Sequence, residues 1–121
     1  MSETPQLRSV RPSVLSLNIN SKSALYAAYM PFLANGGIFL PTSKPYNLGD
    51  EVFLMMQLMD DPAKHPVAGS VVWITPAGAQ RSKVQGVGVQ FAADETGKVV
   101  RNKIEQILAG HLTSSRPTHT L

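Results

Sequence analysis

The chain has 121 residues, 43% of them apolar and 16% charged, with no cysteine and a formal net charge of +3. Length and apolar content suit one domain of roughly 100 residues around a single small core. The missing cysteines exclude disulfides, thiolate metal sites and a cysteine nucleophile, and the scattered basic residues, chiefly Arg8/Arg11 and Arg81/Lys83, do not build a nucleic-acid face.

The first twelve residues are polar, carry Pro5 and Pro12, and read as a flexible arm. They lack the apolar stretch of a signal peptide. The longest apolar run, VFLMMQLM, is interrupted by Gln57 and is too short to span a bilayer. A cytoplasmic protein without membrane insertion is expected.

The domain is expected over 13–110. SVLSLNI (13–19) alternates and predicts a half-buried strand. The stretch from Ser21 to Phe32 is ambiguous between helix, by its alanines, and strand, by its tyrosines. Pro31 stops any helix before Phe32, and strand is the reading adopted because β-like segments flank it. On a strand, Tyr26 and Tyr29 would point to opposite faces, leaving at least one outward. Gly36-Gly37 is a turn signal of the hairpin type, followed by a short strand, Ile38 to Leu40, closed by Pro41.

A second turn, KPYNLGDE, leads into a strand from Glu51 to Met59. Val52, Leu54, Met56 and Leu58 occupy one face, and Phe53, Met55 and Met59 the other. Apolar residues on both faces predict a strand covered on both sides. MDDPAKHP is a loop, VAGSVVWIT (67–75) a strand, PAGAQRSK a loop and VQGVGVQF a strand. Gly86 and Gly88 share a face of that last strand, which predicts close approach of another group to its backbone.

The period then changes. Val100, Ile104, Ile107 and Leu108 form the stripe of an amphipathic helix over 96–110. Asp94 or Thr96 suits its N-cap and Gly110 its C′ position. Residues 111–121 have no periodicity and read as a flexible tail. The sum is a mainly β fold: a small six-stranded antiparallel β-barrel with a C-terminal α-helix.

No arrangement of catalytic groups emerges. His65, His111 and His119 lie in loops and the tail, without metal-ligand spacing. Asp50-Glu51 and Asp60-Asp61 are turn acids with no opposing partner for acid–base work. No G-x-S-x-G elbow occurs. Neither an enzyme nor a cofactor or metal site is expected. Trp73, the single tryptophan, fits either a strand core or an interface anchor. Met55, Met56 and Met59 fit either core filling or an adaptable surface.

VAGSVVWIT followed by GVGVQF resembles the paired strands of PilZ domains, a β-barrel family best known for binding cyclic di-GMP, and NGGIFLPT resembles their glycine-bearing loop. LYAAYMPF, LGDEVFLMMQL, VAGSVVWITPAGAQ and the terminal RPTHTL narrow the resemblance to the PilZ proteins of type IV pilus systems. Ligand-binding members carry an R-x-x-x-R pair before the first strand. They also carry a loop with Asp/Asn, then Ser two residues on, then Gly three further on. Aligned on Gly37, that loop places Phe32 and Ala34 where the polar groups belong, and only the glycine is kept. Arg8 and Arg11 lie before the first strand, but at R-x-x-R spacing.

The resemblance therefore implies a non-catalytic adaptor in pilus biogenesis and twitching motility that does not bind cyclic di-GMP or another small molecule. Its implied partners are a pilus extension ATPase of the PilB type and an EAL-domain cyclic di-GMP receptor of the FimX type. Tyr26, Tyr29, Trp73 and the tail residues Arg116, Pro117, Thr118 and His119 are the candidate contacts. Two alternatives stay open: a direct cyclic di-GMP receptor using Arg8 and Arg11, and a homo-oligomer joined through the strand at 51–59.

Overall fold

The computed structural model describes residues 13–78 and 84–109. Strand β1 (Ser13–Ile19) is followed by helix α1 (Lys22–Ala28), strands β2 (Gly37–Pro41), β3 (Glu51–Leu58), β4 (Lys64–Thr75) and β5 (Gly86–Phe91), and helix α2 (Glu95–Ile107). The strands form one curled sheet in the order β1-β3-β4-β5-β2, a half-barrel with a C-terminal helix, as the sequence leads one to expect. Five strands replace the expected six, and one pairing is parallel. Ser13 to Ile19 runs alongside Val52 to Leu58 in the same direction, because β1 and β3 are joined by a crossover through α1 and β2. The other pairings are antiparallel.

The missing strand is α1. The segment read as a strand coils because Ser21 caps it, its side chain accepting from the Ala24 amide at 3.1 Å. Helical spacing also puts Leu25, Tyr26 and Ala28 on the buried side. Tertiary burial outweighs the β preference of the tyrosines. The helix stops at Tyr29, which turns extended, forms an isolated antiparallel bridge with Ile38, and leaves the chain ready for Pro31. Tyr26 and Tyr29 are therefore both core residues, 7% and 1% exposed, and neither faces outward.

Strand β3 is covered on one face only. Val52, Leu54, Met56 and Leu58 are buried, whereas Phe53 is 39% exposed and Met55 half-buried. Glu51 and Gln57, on the same face as Phe53, are the polar residues consistent with a face that meets solvent. Strand β4 begins earlier than expected, at Lys64. Pro66 is tolerated inside it because β5 pairs with β4 only from Gly69 onward, so that stretch is bonded on one side alone.

Helix α2 starts at Asp94, whose Oδ1 accepts from the Gly97 amide at 3.0 Å. Its stripe of Val100, Ile104 and Leu108 is buried and joins one core with Leu54, Val71, Val89 and Phe91. Lys103 Nζ reaches Asp61 at 3.2 Å in the β3–β4 turn, an exposed pair that solvent screens. A stronger tie is internal: the Tyr29 hydroxyl donates to Glu105 Oε2 at 2.6 Å, and Arg101 Nε donates to the same oxygen at 3.4 Å. Burial first, and then the Glu105 carboxylate, push the Tyr29 phenol above its ordinary range.

Tyr29→Phe is expected to cost about 1–2 kcal/mol at pH 7. Because the folded pKa of Tyr29 is raised, its contribution is full below the unfolded value near 10 and shrinks as pH rises past that value. Urea unfolding of both proteins at pH 7 and pH 11 should show the difference narrowing at the higher pH. A difference that does not change with pH would mean that the phenol proton has no part in it.

No helix among the described residues is long and apolar enough to cross a membrane.

Candidate functional site

The loop between α1 and β2 carries the positions that distinguish this chain. Gly36 takes φ +75°, a conformation open to glycine, and its amide donates to Leu33 O at 3.0 Å. Gly37 then enters β2 opposite Gln90. The bend before β2 thus rests on Gly36, while Gly37 is needed for space: a Cβ there would lie 2.5 Å from Val89 O and 2.6 Å from Leu33 Cδ1.

Gly37 is one of several glycines on the same face of the sheet. Gly86, Gly88 and Gln90 alternate along β5 and share that face. The expected close approach is present. A Cβ on Gly88 would sit 2.7 Å from Met30 Sδ and 2.8 Å from Trp73 Cβ, and one on Gly86 would sit 2.7 Å from the Phe39 ring edge. Leu33, Met30, Phe39 and Trp73 therefore lie directly on the glycine backbone as a second apolar layer.

Trp73 reaches this layer through a bulge. The register of β4 against β5 shifts between Val71 and Trp73, so Val71 meets Val89 while Trp73 meets Gly88. Its indole N–H donates to Thr75 Oγ1 at 2.9 Å, which satisfies both polar groups at a half-buried site. Phe32 packs on the indole from outside, the ring centroids 6.2 Å apart and tilted by 59°. Phe32 remains 45% exposed, so the pair is an aromatic ridge fixed from beneath and open above. Ala34 is exposed beside it. Neither Phe32 nor Ala34 offers a side-chain donor or acceptor.

Toward β3 the same face is open. Phe53 stands opposite Ala68 and Glu51 opposite Ser70, with Ser70 in turn opposite Gln90. These residues, with Asn35 from the loop, line a trench of about 450 Å³. Among the described residues, Glu51 is the one charged side chain in its lining. The reading of β3 as covered on both sides missed this trench; the signal was Glu51 and Gln57 on the face of Phe53.

Of the candidate contact residues, Trp73 is on the accessible surface layer, and Tyr26 and Tyr29 are in the core. Arg8, Arg11, Arg116, Pro117, Thr118 and His119 lie outside the described residues. Among the described residues, no group of three His, Cys, Asp or Glu could hold a metal ion.

No curated protein matches the chain. A family model, that of the PilZ domain, matches residues 6–110. The match takes in every described strand and both helices, and the chain belongs to the PilZ domain family.

Proposed function

We propose that this protein is a non-catalytic adaptor for type IV pilus biogenesis and twitching motility, working through protein contacts and without holding cyclic di-GMP. Membership of the family means a part in cyclic di-GMP-related signalling, as an adaptor or a receptor. The observation that favours the adaptor is the Phe32–Trp73 ridge. A guanine edge needs hydrogen-bonding groups, and a site that has exchanged them for apolar side chains loses that recognition steeply. An exposed aromatic pair with a rigid base instead suits a pocket on another protein, where Trp anchors are enriched. Glu51 gives the adjoining trench a negative charge, which disfavours an anionic phosphodiester there.

The proposed partners are a pilus extension ATPase of the PilB type and an EAL-domain receptor of the FimX type, which would sense the second messenger and pass the signal on by contact. Trp73, with Phe32, is the proposed anchor, and residues 111–121 a second contact that orders on binding. Co-purification with the ATPase tests the reading, using the full chain, Trp73→Ala and a chain ending at Gly110. Loss of the ATPase in both variants supports it. Full retention in both would remove these residues from the interface.

A further inference from the structure

Strand β1 forms one edge of the sheet, and half of its backbone groups face away from β3. Ile19 O accepts from Met59 N, just past β3, at 2.6 Å, so the peptide groups of Ile19 point toward β3. Along a strand, one residue's N–H and C=O point the same way and the next residue's point the opposite way. Leu15 and Leu17 therefore also bond toward β3, while Val14, Ser16 and Asn18 direct both groups to the open edge. Among the described residues, no other backbone bond outside the ladder reaches β1.

This edge is unguarded. SVLSLNI contains no charge, proline or glycine, the devices that keep exposed edges from pairing. The opposite edge is treated differently. There Tyr29 bridges Ile38, Met30 N donates to Gly37 O at 2.9 Å, and Pro41 ends β2. The packing beside β1 is also unfinished. Leu15 and Leu17, level with Leu54 and Met56, pack against the core but are only half-buried. On the other face Val14 is 66% exposed, and Ser16 and Asn18 are exposed.

We propose that β1 pairs antiparallel with β1 of a second copy of this chain, about a twofold axis at Ser16, so that one sheet runs through both protomers. The strand's own pattern sets this register. Val14 lies opposite the partner's Asn18 and Ser16 opposite the partner's Ser16, which bonds every edge-facing N–H and C=O. Moving the register two residues either way leaves Asn18 or Val14 facing a residue beyond the strand. The same register sets Leu15 against the partner's Leu17, and Leu17 against the partner's Leu15, with Cβ atoms about 4.5–5.5 Å apart. The half-buried leucines then cover one another and carry each core across the axis. A twofold contact must be self-complementary, and leucines placed evenly about Ser16 in an uncharged strand meet that condition. Strand β3 cannot pair in this way, because β1 and β4 take both its edges. A single strand pair is small beside the roughly 1,600 Å² of a standard interface, so the association is weak and concentration-dependent. This inference does not rest on the adaptor reading.

Sedimentation equilibrium of the full chain from roughly 20 μM to 1 mM is expected to show a mass rising from one chain toward two. Over the same range the amides of Val14, Ser16 and Asn18 should gain protection from hydrogen exchange, and those of Leu15 and Leu17, already bonded to β3, should change less. Ser16→Lys and Ser16→Glu alter an exposed side chain and leave the fold intact. Each alone sets like charges against each other on the axis and should weaken association about tenfold. An equimolar mixture of the two brings opposite charges together and should restore it. The mass of one chain throughout, a dimer that both substitutions leave unchanged, or a mixture no better than its parts would overturn the pairing. Association lost in Phe53→Ser but kept in Ser16→Lys would place the contact on the face of β3 and would also overturn it. So would full protection of Val14, Ser16 and Asn18 in the dilute monomer, which would assign the edge to a segment of the same chain.

Discussion

Gly88→Val is expected to lower the free energy of unfolding by about 2–3 kcal/mol, the upper part of the range for overpacking a well-filled site. The space a side chain would need is already taken. A Cβ at Gly88 meets Met30 Sδ at 2.7 Å and Trp73 Cβ at 2.8 Å. The methionine end can swing aside at small cost. Trp73 Cβ cannot, because the β4–β5 register holds its backbone opposite Gly88. The gain in strand propensity from glycine to valine recovers up to about 1 kcal/mol, which leaves a net loss. Ala68→Val is the control. It lies on the same face but over the open trench, and its effect should stay within about 0.5 kcal/mol. Urea unfolding followed by the fluorescence of the single tryptophan measures both. Equal effects would mean that the two halves of this face are packed alike.

The second large effect concerns binding. If the proposed contact with an extension ATPase is made through the ridge, Trp73→Ala is expected to weaken it by 30-fold or more, about 2 kcal/mol, as for an interface hot spot. Phe32→Ala should weaken it by about tenfold. The two losses should not add, because the rings touch each other. Stability separates the roles. Phe32 is 45% exposed, so its truncation should leave folding nearly unchanged. Truncating Trp73 removes its bond to Thr75 and its packing against the core and should cost about 2–4 kcal/mol, still below the stability of a typical domain. Surface-immobilised partner and titrated adaptor give both affinities. An unaltered affinity in the folded Phe32→Ala protein, with Trp73→Ala also unaltered, would place the contact elsewhere.

These expectations rest on features that differ in how far they could be read from the chain. Strands β1, β3, β4 and β5 and helix α2 follow from periodicity, since alternation and the i, i+4, i+7 stripe are direct consequences of backbone geometry. The direction of β1 does not, because alternation is the same in parallel and antiparallel pairs. Helix α1 was hidden by two tyrosines with strand preference and by a proline close behind. Its readable sign was Ser21 at the N-cap position. The glycine alternation at 86 and 88 announced a close approach but not what approaches. Phe32 and Trp73 are far apart in the chain, and the β4 bulge that brings Trp73 over Gly88 leaves no distinct trace in VAGSVVWIT. The open trench could have been anticipated from Glu51 and Gln57, since a face buried on both sides of β3 would not carry them.

The central claim is that the loop keeps its bend and has lost its ligand chemistry. Calorimetric titration of cyclic di-GMP into the full chain tests it most directly. The account predicts no saturable heat at ligand concentrations up to roughly 100 μM, where a Kd of 1 μM, about −8 kcal/mol, would saturate the site. A micromolar or tighter isotherm, abolished by replacing Arg8 and Arg11, would contradict it and make the protein a receptor in its own right.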